Sequence, residues 1–271
     1  MRILISADIE GVSGVTRPEQ THPGSSEYER ARLLMTKEVN AAVEGALEGG
    51  AGEIWVADGH GQYANILLEE LHPGACLVSG KPRLFGMMGG LDLGPWDGLF
   101  LIGYHARAGA YGVLAHTING AAFAEIRVNG APVGEYFLNG LLAGEYGVPV
   151  RLISGDDRLA AEAAPLFPDA EIVAVKRALS TRAAIHLPPD TVHELLRTAA
   201  RKALPKRLRP LSADGPFVVQ VSTVRTYHAD LFCMLPGTKR VSPTCLEFVA
   251  DTAFAISRTL NSFSSMAASV N

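Results

Sequence analysis

The sequence is short of cysteine, of long apolar runs and of basic residues, and each shortage removes a class of protein. Only Cys76, Cys233 and Cys245 occur, with no CxxC spacing. An odd, scattered set builds no disulfide framework and fits a reducing compartment. No apolar stretch approaches the roughly 18 residues that a membrane helix needs. The opening MRILISADIE already carries Asp8 and Glu10, and is too short and too acidic for a secretory signal. The formal net charge is -4. The Lys/Arg cluster in Arg201–Arg209 reads as the solvated basic end of a helix, and there is no basic stripe of the kind nucleic-acid binders show. Two catalytic signatures are missing as well. Gly86–Gly94 is glycine-rich but lacks the Lys-Ser/Thr of a phosphate loop, and no G-x-S-x-G elbow is present. The reading is a soluble, cytoplasmic protein with neither nucleic acid nor membrane as a partner.

What remains is ordinary globular composition: 271 residues, 48% hydrophobic and 19% charged, enough for one large domain or two modest ones. Short apolar runs at Ile3–Ala7, Ile54–Ala57, Leu99–Gly103, Val150–Ile153 and Ile172–Val175 read as buried strands. Helical stretches lie between several of them, the clearest being Tyr28–Gly49, which stops at Gly49-Gly50. Asn129-Gly130 predicts a hairpin turn, and Asp157 is a candidate cap for a helix at Arg158–Leu166. The alternation predicts an α/β fold: a mostly parallel sheet with helices on both faces over residues 1–160, and a smaller α+β C-terminal part over 161–271, with a soft boundary.

The chemistry is positional. Asp8 and Glu10 follow the first apolar strand, His60 the second and His105 a later one. In open α/β sheets ligands bind beyond the carboxyl ends of the strands, so residues far apart in sequence converge there. Residues two apart on an extended strand project to one side, which would pair Asp8 with Glu10. Asp58 is placed to orient His60, as carboxylates do for metal-bound imidazoles. Each of these residues alone, and Glu135 with them, is what an ordinary loop carries. Together, two His and three carboxylates suit zinc, ahead of manganese or cobalt. Five ligands exceed one tetrahedral site. A carboxylate shared by two ions about 3.5–4 Å apart would use them all. Cys76 reads as a buried, inert thiol in a strand.

Ser6-Ala7-Asp8-Ile9-Glu10-Gly11, Asp58-Gly59-His60, Gly103-Tyr104-His105-Ala106, His116, Val133-Gly134-Glu135, Gly155-Asp156-Asp157-Arg158 and Leu235-Pro236-Gly237 follow one another as in a known family. The chain resembles the zinc-dependent D-aminopeptidases of the bacterial dipeptide-transport operon type, nearly end to end. The resemblance implies two zinc ions per chain, with Asp8 bridging them and Glu10, His60, His105 and Glu135 completing the ligand set. It implies a catalytic role for His116. It also implies a homo-oligomer, a decamer of two stacked pentamers with the active sites facing an inner cavity. One departure is visible: the family's Asp-Ser-His is Asp58-Gly59-His60 here.

The function expected from these readings is aminopeptidase hydrolysis of short peptides, with an N-terminal D-amino acid, by metal-activated water. Two alternatives stand beside it. Another dinuclear hydrolase, such as a phosphoesterase, would need a cationic clamp, for which Arg107 and Lys176 are the candidates. A non-catalytic metal-binding scaffold would close the zinc with four protein ligands.

Overall fold

The computed structural model describes residues 1–270. In chain order the strands are β1 (Arg2–Ala7), β2 (Glu53–Asp58), β3 (Cys76–Val78), β4 (Gly98–Ile102), β5 (Phe123–Val128), β6 (Ala131–Pro132), β7 (Val150–Asp156), β8 (Glu171–Ser180), β9 (Ala183–His186), β10 (Phe217–Thr223), β11 (Thr238–Ser242) and β12 (Cys245–Ala250). The helices are α1 (Ser26–Glu48), α2 (Glu135–Glu145), α3 (Asp157–Ala163), α4 (Pro189–Ala203), α5 (Thr226–Phe232) and α6 (Ala253–Ala267).

Seven strands form one sheet in the order β3-β2-β1-β4-β7-β8-β9. All neighbours run parallel except the last pair, where β9 returns antiparallel to β8. The central strands are apolar at nearly every position because both faces are covered. Side chains alternate between the faces. Leu4, Leu99, Leu101 and Ile153 enter a core shared with α2, α6 and the second sheet. Ile3, Ile5, Phe100, Ile102 and Leu152 enter another, closed by α1 and α4. The α/β architecture with helices on both faces is therefore the one the apolar runs predict.

The second sheet has the order β11-β12-β10-β5-β6 and is antiparallel. It buries Ile126, Val219, Val221, Leu246 and Phe248 on one face and exposes Val218 and Val249 on the other. Asn129 and Gly130 both take positive φ, 51° and 81°, as a two-residue hairpin turn between β5 and β6 demands. The two sheets exchange segments across residue 160. The large one takes β8 and β9 from beyond it, and the small one takes β5 and β6 from before it.

Helix starts follow their caps. Ser25 accepts a 3.1 Å hydrogen bond from Tyr28 N at the head of α1. At α3 the cap is Asp156, not Asp157: its Oδ1 accepts from Arg158 N at 3.1 Å and Leu159 N at 2.8 Å. The last residue of β7 turns its side chain back over the helix start, while Asp157 Oδ1 accepts from Ala178 N. Cys76 lies in β3 as expected but is exposed, because β3 is the edge strand. No helix among the described residues is long and apolar enough to cross a membrane.

Candidate metal centre

The carboxyl ends of β1, β2 and β4 lie side by side, since these strands are parallel neighbours. Asp8, His60 and His105 follow them directly. Asp8 and Glu10 do not reach the site by strand alternation. β1 ends at Ala7, and Asp8–Glu10 enters a tight turn, with Gly11 N donating to Gly103 O and Val12 N to Ile9 O. Two glycines allow this turn to sit against the end of β4. A Cβ on Gly11 would lie 1.9 Å from Tyr104 O, and one on Gly103 (φ 72°) would lie 2.2 Å from Asp8 O.

Glu135 arrives from a different direction, as the first residue of α2. A directional chain of buried hydrogen bonds aligns that helix with the strand ends. Asn139 Nδ2 donates to Tyr104 Oη at 2.9 Å. Tyr104 Oη lies 2.7 Å from Ser6 Oγ, which donates to the Met87 carbonyl at 3.0 Å. Since the carbonyl takes the Ser6 proton, the tyrosine donates to Ser6.

Backbone carbonyls set the imidazole tautomers. His60 Nε2 donates to Thr21 O at 2.7 Å, His105 Nδ1 to Ala106 O at 2.9 Å and His116 Nδ1 to Leu114 O at 2.9 Å. A carbonyl only accepts, so in each neutral ring the other nitrogen keeps a bare lone pair. Those lone pairs face carboxylates. His60 Nδ1 is 3.2 Å from Asp8 Oδ1 and 3.0 Å from Glu10 Oε2. His105 Nε2 is 3.4 Å from Asp8 Oδ2 and 3.4 Å from Glu135 Oε1. His116 Nε2 is 4.0 Å from Glu135 Oε1, and its ring stacks on His105 at 4.2 Å.

These are approaches to a common space more than bonds between partners. Glu10 Oε2 and His105 Nε2 are fully buried, yet neither makes a hydrogen bond of acceptable direction. Asp8 presents one oxygen to His60 and the other to His105. Two sets of three residues, Asp8–Glu10–His105 and His105–His116–Glu135, have ligand atoms all within 4.8 Å of one another; His60 falls in neither and joins the site through Asp8 and Glu10.

The charge balance says the same. Burial alone would make Asp8 hard to ionise, but His105 and His60 outweigh it and hold the carboxyl well below its usual range. Burial should likewise keep the imidazoles neutral. The negative charge of Glu10 and Asp8 drives His60 well above its usual value instead, and Glu135 and Asp8 do the same to His105. A buried cluster that forces protons onto imidazoles is one that calls for cations. Borderline-soft nitrogen donors beside hard carboxylates are a zinc donor set.

A family model described as D-aminopeptidase matches residues 1–262. The chain belongs to the D-aminopeptidase family. Similar to it is a D-aminopeptidase of Bacillus subtilis (strain 168), 36% identical over 253 residues that span 92% of each chain. A solved structure described as "Zn-dependent D-aminopeptidase DppA from Bacillus subtilis, a self-compartmentalizing protease" matches with a TM-score of 0.94 at 33% identity. That match covers 99% of this chain and 98% of the other.

In this member of the D-aminopeptidase family all six residues singled out in the sequence meet in one place. Their supports are another matter. Asp58 does not orient His60: its carboxylate accepts from Asn65 Nδ2 and Ile66 N, both at 2.7 Å. The orienting acceptor is the Thr21 carbonyl, which no side-chain pattern announces. Around His116 the backbone is strained, with Leu114 at φ 50° and Ile118 at φ 62°. Positive φ is rare for non-glycine residues and an outlier for a β-branched one. Leu114 N is tied to Thr181 O, and Ile118 N donates to Glu135 Oε1.

The two candidate phosphate clamps are engaged elsewhere. Arg107 lies 3.7 Å from Glu162 and donates to Ala108 O. Lys176 is only 2% exposed and donates to three backbone carbonyls. Near it Glu38 is buried on the apolar face of α1, accepting from Ser13 N at 2.8 Å. Burial pushes the Glu38 carboxyl up to about 8 and the Lys176 ammonium down to about 8. A carboxylate among Met35, Val39 and Ala42 is the signal by which sequence reading could have found this pair.

Proposed function

We propose that this chain is a dinuclear zinc aminopeptidase that removes an N-terminal D-amino acid from short peptides. The observation that carries the reading is the division of the Asp8 carboxylate, Oδ1 toward His60 and Oδ2 toward His105. In this reading Asp8 would be shared between the two ions, with Glu10 and His60 serving as ligands on one side and His105 and Glu135 on the other. Zinc supplies Lewis acidity toward a scissile carbonyl and lowers the pKa of water from about 15.7 to about 7.

His116 is the proton-handling residue. Its Nδ1–H is committed to Leu114 O, which leaves Nε2 facing the cluster from a ring that is 24% exposed and so reachable by substrate. A neutral imidazole accepts a proton at this nitrogen and returns it to a leaving amine. Stacking on His105 and the strained Leu114–Ile118 segment hold the ring in place. With Lys176 and Arg107 engaged elsewhere, neither clamp required by a phosphoesterase is free.

The assembly proposed is a homo-oligomer, a decamer of two stacked pentamers, whose enclosed chamber limits substrates to short peptides. The similar solved protein, described as self-compartmentalizing, supports this. The test combines elemental analysis with a panel of D-Ala and L-Ala dipeptides and p-nitrophenyl phosphate, on protein sized by light scattering. About two zinc equivalents per chain, cleavage of the D-Ala dipeptides and a large oligomer are expected. Faster phosphate-ester hydrolysis, or an active monomer, would sink the corresponding part.

A further inference from the structure

We propose that Lys176 is a positioning residue for the metal centre: a tethered cation that shapes the Glu10–Val15 turn and thereby aims the Glu10 carboxylate. The inference rests on the proposed ligand role of Glu10. Lys176 comes from β8, far along the chain, and is sealed beneath the turn. Its Nζ donates to Glu10 O at 2.6 Å, Val12 O at 2.9 Å and Val15 O at 2.6 Å. An ammonium has three donors and no acceptor, so these three carbonyls satisfy it completely. Among the described residues no carboxylate lies within 4.0 Å of Nζ, so the contact is not an ordinary ion pair.

The turn needs the cation as much as the cation needs the turn. Three carbonyl dipoles of one short segment aimed at one point repel each other unless positive charge sits there. Buried without it, they would be three unsatisfied acceptors. Releasing these carbonyls changes the ψ of each residue and the φ of the next, and with them the path of the short turn that carries Glu10. At Glu10 that would swing the carboxylate away from His60 Nδ1, now 3.0 Å from Oε2. Glu38 completes the arrangement from the other side. It holds Ser13 N through Oε1 and leaves Oε2 buried and without a hydrogen bond. It fixes the middle of the turn at Ser13 without competing for the lysine protons. A residue that touches Glu10 only at its backbone carbonyl thus controls the direction of the Glu10 side chain.

The test is the affinity of each zinc ion, measured by chelator competition on the full-length protein, with circular dichroism as the check on folding. Lys176→Met is expected to weaken the ion on the Glu10–His60 side by about 10–100-fold, the usual cost of losing a residue that orients a ligand. The ion on the His105–Glu135 side should keep its affinity. Lys176→Arg keeps the charge but cannot focus three donors on one point. It should weaken the same ion by a smaller factor, and it serves as the test if Lys176→Met does not fold. Unchanged affinity at both sites in a folded variant overturns the proposal. So does an equal loss at both, which is what general loosening of the fold would produce. Glu10→Gln separates the two levels of the argument. If it weakens one ion and the lysine variants do not, positioning by Lys176 fails and the ligand reading survives. If it weakens neither ion, the ligand reading fails first and takes this proposal with it.

Discussion

The two sheets treat polar residues in opposite ways. In the large sheet β1, β4 and β7 are buried on both faces along almost their whole length, and polar side chains gather just past the strand ends. In the small sheet polar and exposed positions alternate with buried ones along β10 and β12. An antiparallel layer with one wet face places polar groups where water solvates them at no cost. A doubly covered parallel layer has no such face, so a polar group in or beside it needs a partner, a ligand or a proton. A buried carboxylate at the end of a parallel strand is therefore informative about function, and a glutamate on β12 is not.

The comparison is tested most severely at Asp8. Asp8→Ala should release both ions, leaving the activity of the metal-free protein, whereas His60→Ala should retain one; zinc analysis of the purified variants distinguishes these outcomes. Retention of one tightly held ion by Asp8→Ala would show that the carboxylate is not shared.

At His116 the effect is expected in turnover alone. His116→Ala should keep both ions and the oligomer yet lose roughly 10²–10⁴-fold in kcat, the scale of a positioned proton-transfer group. Loss of zinc would make it a ligand, a possibility its inclusion in the His105–Glu135 group makes worth measuring.

Glu38 tests the cost of buried charge beside the large sheet. Its folded-state carboxyl titrates at about 8, above the ordinary 4.5. Between those values the folded chain keeps a proton that the unfolded chain has released, so stability falls as pH rises. The slope approaches about 1.4 kcal/mol per pH unit. Glu38→Gln should flatten the decline in urea-denaturation stability between about pH 5 and 8. A wild-type stability that rises across this window would contradict the assignment.

Two smaller effects complete the contrast. Tyr104→Phe deletes the centre of the Asn139–Tyr104–Ser6 chain and should cost about 1–3 kcal/mol in denaturation experiments, because buried partners are left unpaired. On the small sheet Val249, 61% exposed on β12, offers the opposite case. Val249→Thr should change monomer stability by no more than about 0.5 kcal/mol. A larger loss, disappearing at low protein concentration, would reveal that face as covered in the assembly.

The strands and the convergence of Asp8, His60 and His105 were legible in the chain itself. Apolar runs bounded by polar residues encode parallel strands, and parallel strands bring their carboxyl ends to one edge by geometry alone. The position of Glu135 was legible only through resemblance, since one glutamate after a hairpin carries no periodic signal. Other features depended on three-dimensional neighbours. The turn, not strand alternation, brings Glu10 beside Asp8, because Gly11 and Gly103 let two backbones approach to contact. The acceptor for His60 is a backbone carbonyl, invisible to any reading of side chains. Exposure of Cys76 follows from the place of β3 at the sheet edge. Lys176 reads locally as a charge ending an apolar strand; its three carbonyl partners are more than 160 residues away in sequence. By itself the sequence determined which segments bury themselves and which residue types accumulate at their ends, because burial and periodicity are local properties. The tertiary structure decided which lone pairs face one another and which charge answers which, because those depend on distances that only the packed chain defines.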